Sequence, residues 1–329
     1  MIDIMSGSDK TAVIVVNFNG GDFLDRCLTS LECQTFSGFK TFVLDNASED
    51  GSIDGLEQRF PEIEIIRLER NIGFAAANNR VVRQAEGYDW VALLNPDAFA
   101  DPDWLANLPR VAKENPNHSF FGSHMRRHDS SGLLDGTGDV YHVSGLAWRR
   151  DHGMPEDRIP RATGEIFSPC AAAAMYRRDV FLEAGGFDER FFCYFEDIDL
   201  AFRLRLLGHR CLHVSDAAVE HIGSATTGRQ SDFAVYHGHR NMVWAYAKNM
   251  PASMLSLPQH ILANLAALVY FSLRGQAAPI FKAKWDALAG LGTALVQRRK
   301  LQKEIKISLP DLKAIIAQGW FLPYFKNRR

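Results

Sequence analysis

The sequence predicts an α/β fold: a mostly parallel central sheet flanked by helices, with a helical extension at the C-terminal end. Three observations predict it. Through the first hundred residues, short apolar runs rich in β-branched residues alternate with stretches at helical spacing. The loops joining these units are short, and parallel neighbours in a sheet need a crossover, usually a helix. The composition then changes after about residue 250, to an apolar stretch followed by a basic one.

Residues 11–16 (TAVIVV) form a continuous apolar run, as expected of a strand covered on both faces. Residues 17–21 follow as a turn, after which Phe23, Leu24, Cys27, Leu28 and Leu31 recur at helical spacing. Residues 39–44 form the next strand and end at Asp45-Asn46. Residues 52–60 read as helix, 62–68 as strand, 74–85 as an alanine-rich helix, and 90–94 as a buried strand ending at Asn95-Pro96-Asp97. Residues 124–162 hold charged residues and glycines with little periodicity, and are expected to form a long, partly mobile excursion over the sheet edge. Order returns with the small residues of 165–177 and a short helix at 179–184, closed by Gly185-Gly186. Residues 196–207 read as a helix with carboxylates in its first turn, Arg203 and Arg205 later, and Gly208 at its end, a charge order that suits the helix dipole. Residues 217–220 read as a strand leading to His221.

Composition limits the function. The 329 residues are 47% hydrophobic and 23% charged, which is globular and not disordered or collagen-like. A net charge of −2 gives no support to nucleic-acid binding. Five scattered cysteines without a CxxC pair fit a reducing cytoplasm and no structural zinc. The first ten residues carry Asp3 and Asp9 and no basic segment ahead of an apolar core, so a cytoplasmic location is expected.

The polar clusters at 17–19, 45–46 and 95–97 fall at the carboxyl ends of three predicted strands, where open α/β sheets bind ligands. Six stretches occur in a telling order: VIVVNFN (13–19), VLDNAS (43–48), NIGFAAANN (71–79), LNPDA (94–98), GGFDERFF (185–192) and FEDIDL (195–200). On these, covering about residues 11–245, the chain resembles family 2 inverting glycosyltransferases with the GT-A fold, in the bacterial rhamnosyltransferase-like branch that builds cell-surface polysaccharides. The resemblance implies a catalytic domain over 1–250 and a helical extension over 251–329.

It also implies roles. Asp45 would accept a hydrogen bond from a uracil or thymine ring N–H, although Asp45-Asn46 also reads as a turn capping the next helix. Asn17, Asn19, Asn46, Gly73 and Asn78 would line the same nucleotide pocket. Asp97 would hold a divalent metal, Mn2+ or Mg2+, against the donor diphosphate. Relatives often present two aspartates where this chain has Asn95-Pro96-Asp97, so His221 is the candidate second ligand. Asp197 would be the general base, with Glu196 orienting the acceptor. The aromatic stretch 191–195 before them would desolvate a carboxylate and raise its pKa. Residues 223–228 resemble a small polar lid, beside which Arg229 or Arg240 could clamp the diphosphate.

The expected reaction moves a sugar from a UDP- or dTDP-sugar to a hydroxyl, on a lipid-linked cell-surface glycan, by metal-assisted single displacement. A sugar-nucleotide pyrophosphorylase is the rival enzyme, but residues 17–22 (NFNGGD) lack its glycine-rich phosphate loop. A dehydrogenase would need GxGxxG after the first strand, and that motif is absent. A catalytically degenerate nucleotide-sugar or glycan-binding module is the non-enzyme alternative.

The C-terminal region adds a possible partner. Residues 251–273 contain no Asp, Glu, Lys or Arg. Residues 274–329 hold twelve Lys/Arg against three Asp/Glu, a net of +9, which leaves −11 for the rest of the chain. An apolar helix followed by a basic one suits peripheral contact with an anionic membrane surface. A helical subdomain packed on the catalytic body or on a second copy is the alternative, and the sequence does not set the oligomeric state.

Overall fold

The strand TAVIVVN, β1 (Thr11–Asn17), is buried along its whole length and lies inside the sheet. The computed structural model describes residues 10–129, 131–223 and 231–320. β1 pairs in parallel with β2 (Phe39–Asp45) on one side and β4 (Trp90–Leu94) on the other, and β3 (Glu64–Arg67) extends the β2 side. The helices α1 (Asp22–Glu32), α2 (Leu56–Arg59) and α3 (Gly73–Gln84) supply the crossovers. The chain winds outward through β2 and β3, then returns to the opposite side of β1. This reversal makes a crevice at the carboxyl ends of β1 and β4.

The far half of the sheet is mixed. β5 (Ala98–Ala100), α4 (Trp104–Glu114) and β6 (His118–Arg127) follow β4. Three short strands come next: β7 (Leu134–Gly136), β8 (Asp139–Tyr141) and β9 (Ala147–Arg149). β10 (Gly164–Glu165), β11 (Ala173–Arg177), α5 (Arg178–Glu183), α6 (Glu196–Leu206) and β12 (Arg210–His221) complete this half. β11 is antiparallel to both β4 and β6, and β12 runs parallel to β6. Two apolar layers sandwich the sheet: Leu24, Leu28, Trp104 and Leu108 on one face, Ala75, Val81, Phe181 and Leu204 on the other.

Two expectations are corrected. The helix expected over 52–60 shrinks to Leu56–Arg59, because Gly51 and Gly55 adopt φ of 77° and 67° and turn the chain before it. The segment 124–162, in its described residues, forms regular, partly buried structure instead of an irregular excursion. It holds β7, the β8–β9 hairpin and buried Asp135, Thr137, Asp139, Tyr141, His142 and Ser144. Its buried groups are satisfied largely by polar partners, such as Asp135 with Arg149 and Thr137 with Arg150, so it leaves no apolar periodicity in the sequence.

The C-terminal helices are α7 (Asp232–Asn249), α8 (Leu257–Leu273), α9 (Ala277–Ala289), α10 (Leu291–Leu301) and α11 (Leu309–Ile315). α7 packs on the body, where Tyr246 and Met250 share a cluster with Ile198 and Phe202 of α6 and with Leu301 and Leu312. The later segments also meet the body directly, the Lys306 amide donating to the Leu206 carbonyl and the Ala317 amide to that of Tyr141. No helix among the described residues is long and apolar enough to cross a membrane.

Candidate active site

The turn after β4 places Asp97, and pairing of β5 with β12 brings His221 to it. In that register Ala98 lies opposite His221, and the Ile222 amide donates to the Asp97 carbonyl. The two side chains meet with His221 Nε2 3.4 Å from Asp97 Oδ1. On its other edge, His221 Nδ1 lies 2.7 Å from Asp135 Oδ2 on β7. All three side chains are nearly inaccessible. Burial alone would lower the His221 pKa, but the Asp135 and Asp97 carboxylates raise it. Asp135, though buried, is held down at about 2 by the His221 hydrogen bond and the Arg149 guanidinium.

This pair fits a divalent metal. The buried His221 Nε2 makes no hydrogen bond of good geometry. Two donors at right angles about a metal at about 2.1 Å stand about 3 Å apart, close to the observed separation. Among the described residues no group of three or more His, Cys, Asp or Glu is gathered for an ion. Two protein ligands leave room for the diphosphate oxygens that such metals take in nucleotide sites.

Asp197 opens α6 and is half-buried. Its Oδ2 accepts from the Ala171 amide at 3.2 Å and its Oδ1 from the Ile198 amide at 2.8 Å. Burial raises its pKa, and the two amides and Arg149 oppose that rise. Glu196 beside it is buried, with Oε2 lacking a hydrogen-bond partner. Burial, then the neighbouring Asp197 charge, pushes its pKa far up. Of the two, Asp197 has the donors that stabilise the ionised form, which is what a general base requires. Asp139 stands near: burial and then the Asp197 charge raise it to about 7. Ala171 and Ala172 tie this group to the Asp97 turn, since the Asn95 amide donates to the Ala172 carbonyl.

The loop before Asp197 is strained. Phe192, Tyr194 and Phe195 have φ of 66°, 67° and 69°, a left-handed conformation that costs a non-glycine residue about 1–3 kcal/mol. α7 holds it in place. Asn241 Nδ2 donates to the carbonyls of Phe191, Cys193 and Tyr194, and Arg240 Nη2 to those of Arg190 and Phe191. These contacts compete with the diphosphate role expected of Arg240. Its Nε and Nη1 are also spent, on Asn241 and the Tyr236 hydroxyl, and the guanidinium lies over the Trp244 ring. Arg229 and residues 224–228 lie outside the described residues.

Around the nucleotide pocket, Asn17 and Asp45 are register partners at the ends of β1 and β2. Asn17 Nδ2 donates to Asp45, Ser48 and Ser52. Asp45 receives only long contacts of 3.3–3.4 Å, from Asn17 and the Ser48 amide, so its acceptor capacity is lightly used. Asn19 braces Ser48 and Glu49, while Asn46 latches Asn71 and the Ile72 amide at the start of α3. Asn78 is buried in α3 and donates to the Phe74 carbonyl. Gly73 has φ of 83°, and a side chain there would meet the Phe192 ring at 2.5 Å. Its smallness serves the Phe192 contact.

Three residues were missed by sequence reasoning: Asp135, Asp139 and Arg149. The acidic pair flanks Gly136-Thr137-Gly138, and that DGTGD spacing is the signal available in the sequence.

The glycosyl transferase family 2 profile matches residues 12–185. An N-acetylglucosaminyl-diphospho-decaprenol L-rhamnosyltransferase of Mycobacterium tuberculosis is 29% identical over 252 residues, covering 70% of this chain and 82% of the relative. The fold superposes on S. aureus TarS in complex with UDP with a TM-score of 0.55 and 17% identity, covering 89% of this chain and 90% of that one. A mannosyltransferase from Pyrobaculum calidifontis, in complex with GDP-Man and Mn2+, matches with a TM-score of 0.53 and 16% identity over 93% and 83% of the two chains. A profile spanning more than half the chain, on a sheet with a nucleotide-type crevice at its switch point, makes this protein a glycosyltransferase of family 2 with the GT-A fold.

Proposed function

We propose that the chain transfers a single sugar, with inversion, from a UDP- or dTDP-sugar to a hydroxyl of a polyprenyl-diphosphate-linked glycan. The observation that carries the reading is the half-buried Asp197 with its raised pKa, tied through Ala171–Ala172 to the Asp97–His221 pair. The rhamnosyltransferase relative supports the lipid-linked acceptor. Asp45 accepts from the pyrimidine ring N–H, and the loops braced by Asn19 and Asn46 enclose the nucleoside. Asp97 and His221 would hold a divalent metal, which would supply Lewis-acid stabilisation to the departing nucleoside diphosphate. Asp197 takes the proton of the acceptor hydroxyl as its oxygen attacks the anomeric carbon, so no covalent enzyme intermediate forms. Glu196, kept neutral by burial, donates a hydrogen bond that orients the acceptor.

The protein acts peripherally at the inner membrane face. Support comes from the exposed apolar side chains of α8–α10 and the +9 charge of residues 274–329. The test is a donor panel assayed for nucleotide release with a polyprenyl-diphosphate-linked sugar, with and without Mn2+. Absence of UDP and dTDP binding in both conditions overturns the reading.

A further inference from the structure

Helices α8, α9 and α10 close against α7 but leave a groove of about 550 Å3 between them. Its walls include Tyr246 of α7, Ile261 and Leu265 of α8, Leu288 of α9 and Leu295 of α10. The rim is exposed although apolar: Leu265 is 53% accessible and Leu288 67%. Of the eighteen exposed large hydrophobic residues among the described residues, twelve lie on these three helices. A contiguous apolar surface of this kind marks a binding face.

A second observation specifies the ligand. Arg298 also lines the groove. Its Nη1 donates to the Ala247 and Met250 carbonyls, while its buried Nη2 has no hydrogen-bond partner. An unmet buried donor on a cation is costly unless an anion meets it. Residues 251–301 carry six Lys/Arg and one acid, Asp286, which is already bonded to Tyr236 and Lys282. A second copy of this face would oppose cation to cation. The complementary occupant is a long apolar chain with an anionic head.

We infer that this groove holds the polyprenyl chain of the acceptor, with its phosphate against Arg298. The inference rests on the lipid-linked acceptor proposed above. The placement suits it: Tyr246, on the groove wall, packs with Ile198 and Phe202, and Trp244 of the same helix with Phe191 and Phe195, so α7 touches both the groove and the loop before Asp197.

Calorimetry with farnesyl diphosphate and with inorganic diphosphate, both at saturating UDP and Mn2+, tests this. Farnesyl diphosphate is expected to bind at least tenfold more tightly than diphosphate. Leu265→Trp and Leu288→Trp, which fill the groove from exposed positions, should each lose at least tenfold of that affinity. Val269→Ser, on the same helix but off the groove wall, should keep it. Equal affinity in all four proteins overturns the groove assignment, as does equal binding of the two probes. Displacement of farnesyl diphosphate by dihexanoyl phosphatidylglycerol at matched concentration assigns the groove to bulk lipid and also overturns it. A UDP titration in the absence of farnesyl diphosphate reports on the transferase reading separately, since no groove residue lies in the nucleotide crevice.

Discussion

His221 Nδ1 lies 2.7 Å from Asp135 Oδ2, which turns the other ring nitrogen, Nε2, toward Asp97. A carboxylate behind a metal-binding histidine fixes its tautomer and raises its basicity, and losing such a partner costs about 10–100-fold in metal affinity. Asp135→Asn should therefore weaken the Mn2+-dependent part of UDP binding by about that factor, while metal-free UDP binding stays unchanged. Calorimetry with and without Mn2+ reads both. An unaltered Mn2+ dependence would mean that His221 acts without Asp135, or does not hold metal.

Asp197→Asn keeps the size of the side chain and its contacts to the Ala171 and Ile198 amides in part, but removes the basic oxygen. Turnover should fall by about 10²–10⁴, with the UDP dissociation constant within about twofold of the wild type. Comparing single-turnover rate with nucleotide affinity separates the two effects. Turnover retained at wild-type level would move the base to another group.

The sheet was legible because β1 and β4 are almost wholly apolar, as is the Phe42–Leu44 end of β2, and their polar ends coincide with the crevice. Asp97, His221 and Asp197 were singled out by family resemblance, each following a recognisable strand or opening a helix, and the structure places Asp97 beside His221. Asp135, Asp139 and Arg149 were not, because they lie in short strands whose buried contacts are ionic and leave no hydrophobic period. For Arg240, nothing in the sequence distinguishes a guanidinium that meets phosphate from one that bonds the carbonyls of Arg190 and Phe191, where the structure places it.

The acid limb of activity should lie above the ordinary carboxylate range. A base works only when deprotonated, and burial raises Asp197. kcat/KM should therefore fall as pH drops through that raised pKa. Asp139 is raised to about 7 by burial and by the Asp197 charge, so as pH falls it takes up its proton before Asp197 and puts no charge on the base across the acid limb. Asp139→Asn should therefore leave the acid limb in place. A pH–rate profile of the two proteins at saturating Mn2+ checks it; a limb that moves to lower pH would show that an ionised Asp139 repels the base.

Asn241 spends one side-chain amide on three carbonyls of the Phe191–Tyr194 loop, at 3.0, 3.0 and 2.7 Å. The strain of Phe192, Tyr194 and Phe195 persists only while such contacts over-determine the loop. Asn241→Ala leaves buried carbonyls without donors, a cost of about 1–3 kcal/mol, and frees the loop to relax toward ordinary backbone angles. Asp197 would then sit in a broader range of positions relative to the donor sugar. Stability to urea should fall by that amount and turnover should fall with it, while UDP affinity, set at the β1 and β2 ends, should hold. Arg240→Lys is the matched control, because a lysine keeps the charge but cannot meet two carbonyls and Asn241 together. It should lower stability and turnover without weakening UDP binding. A large loss of UDP affinity in Arg240→Lys would instead return Arg240 to the diphosphate.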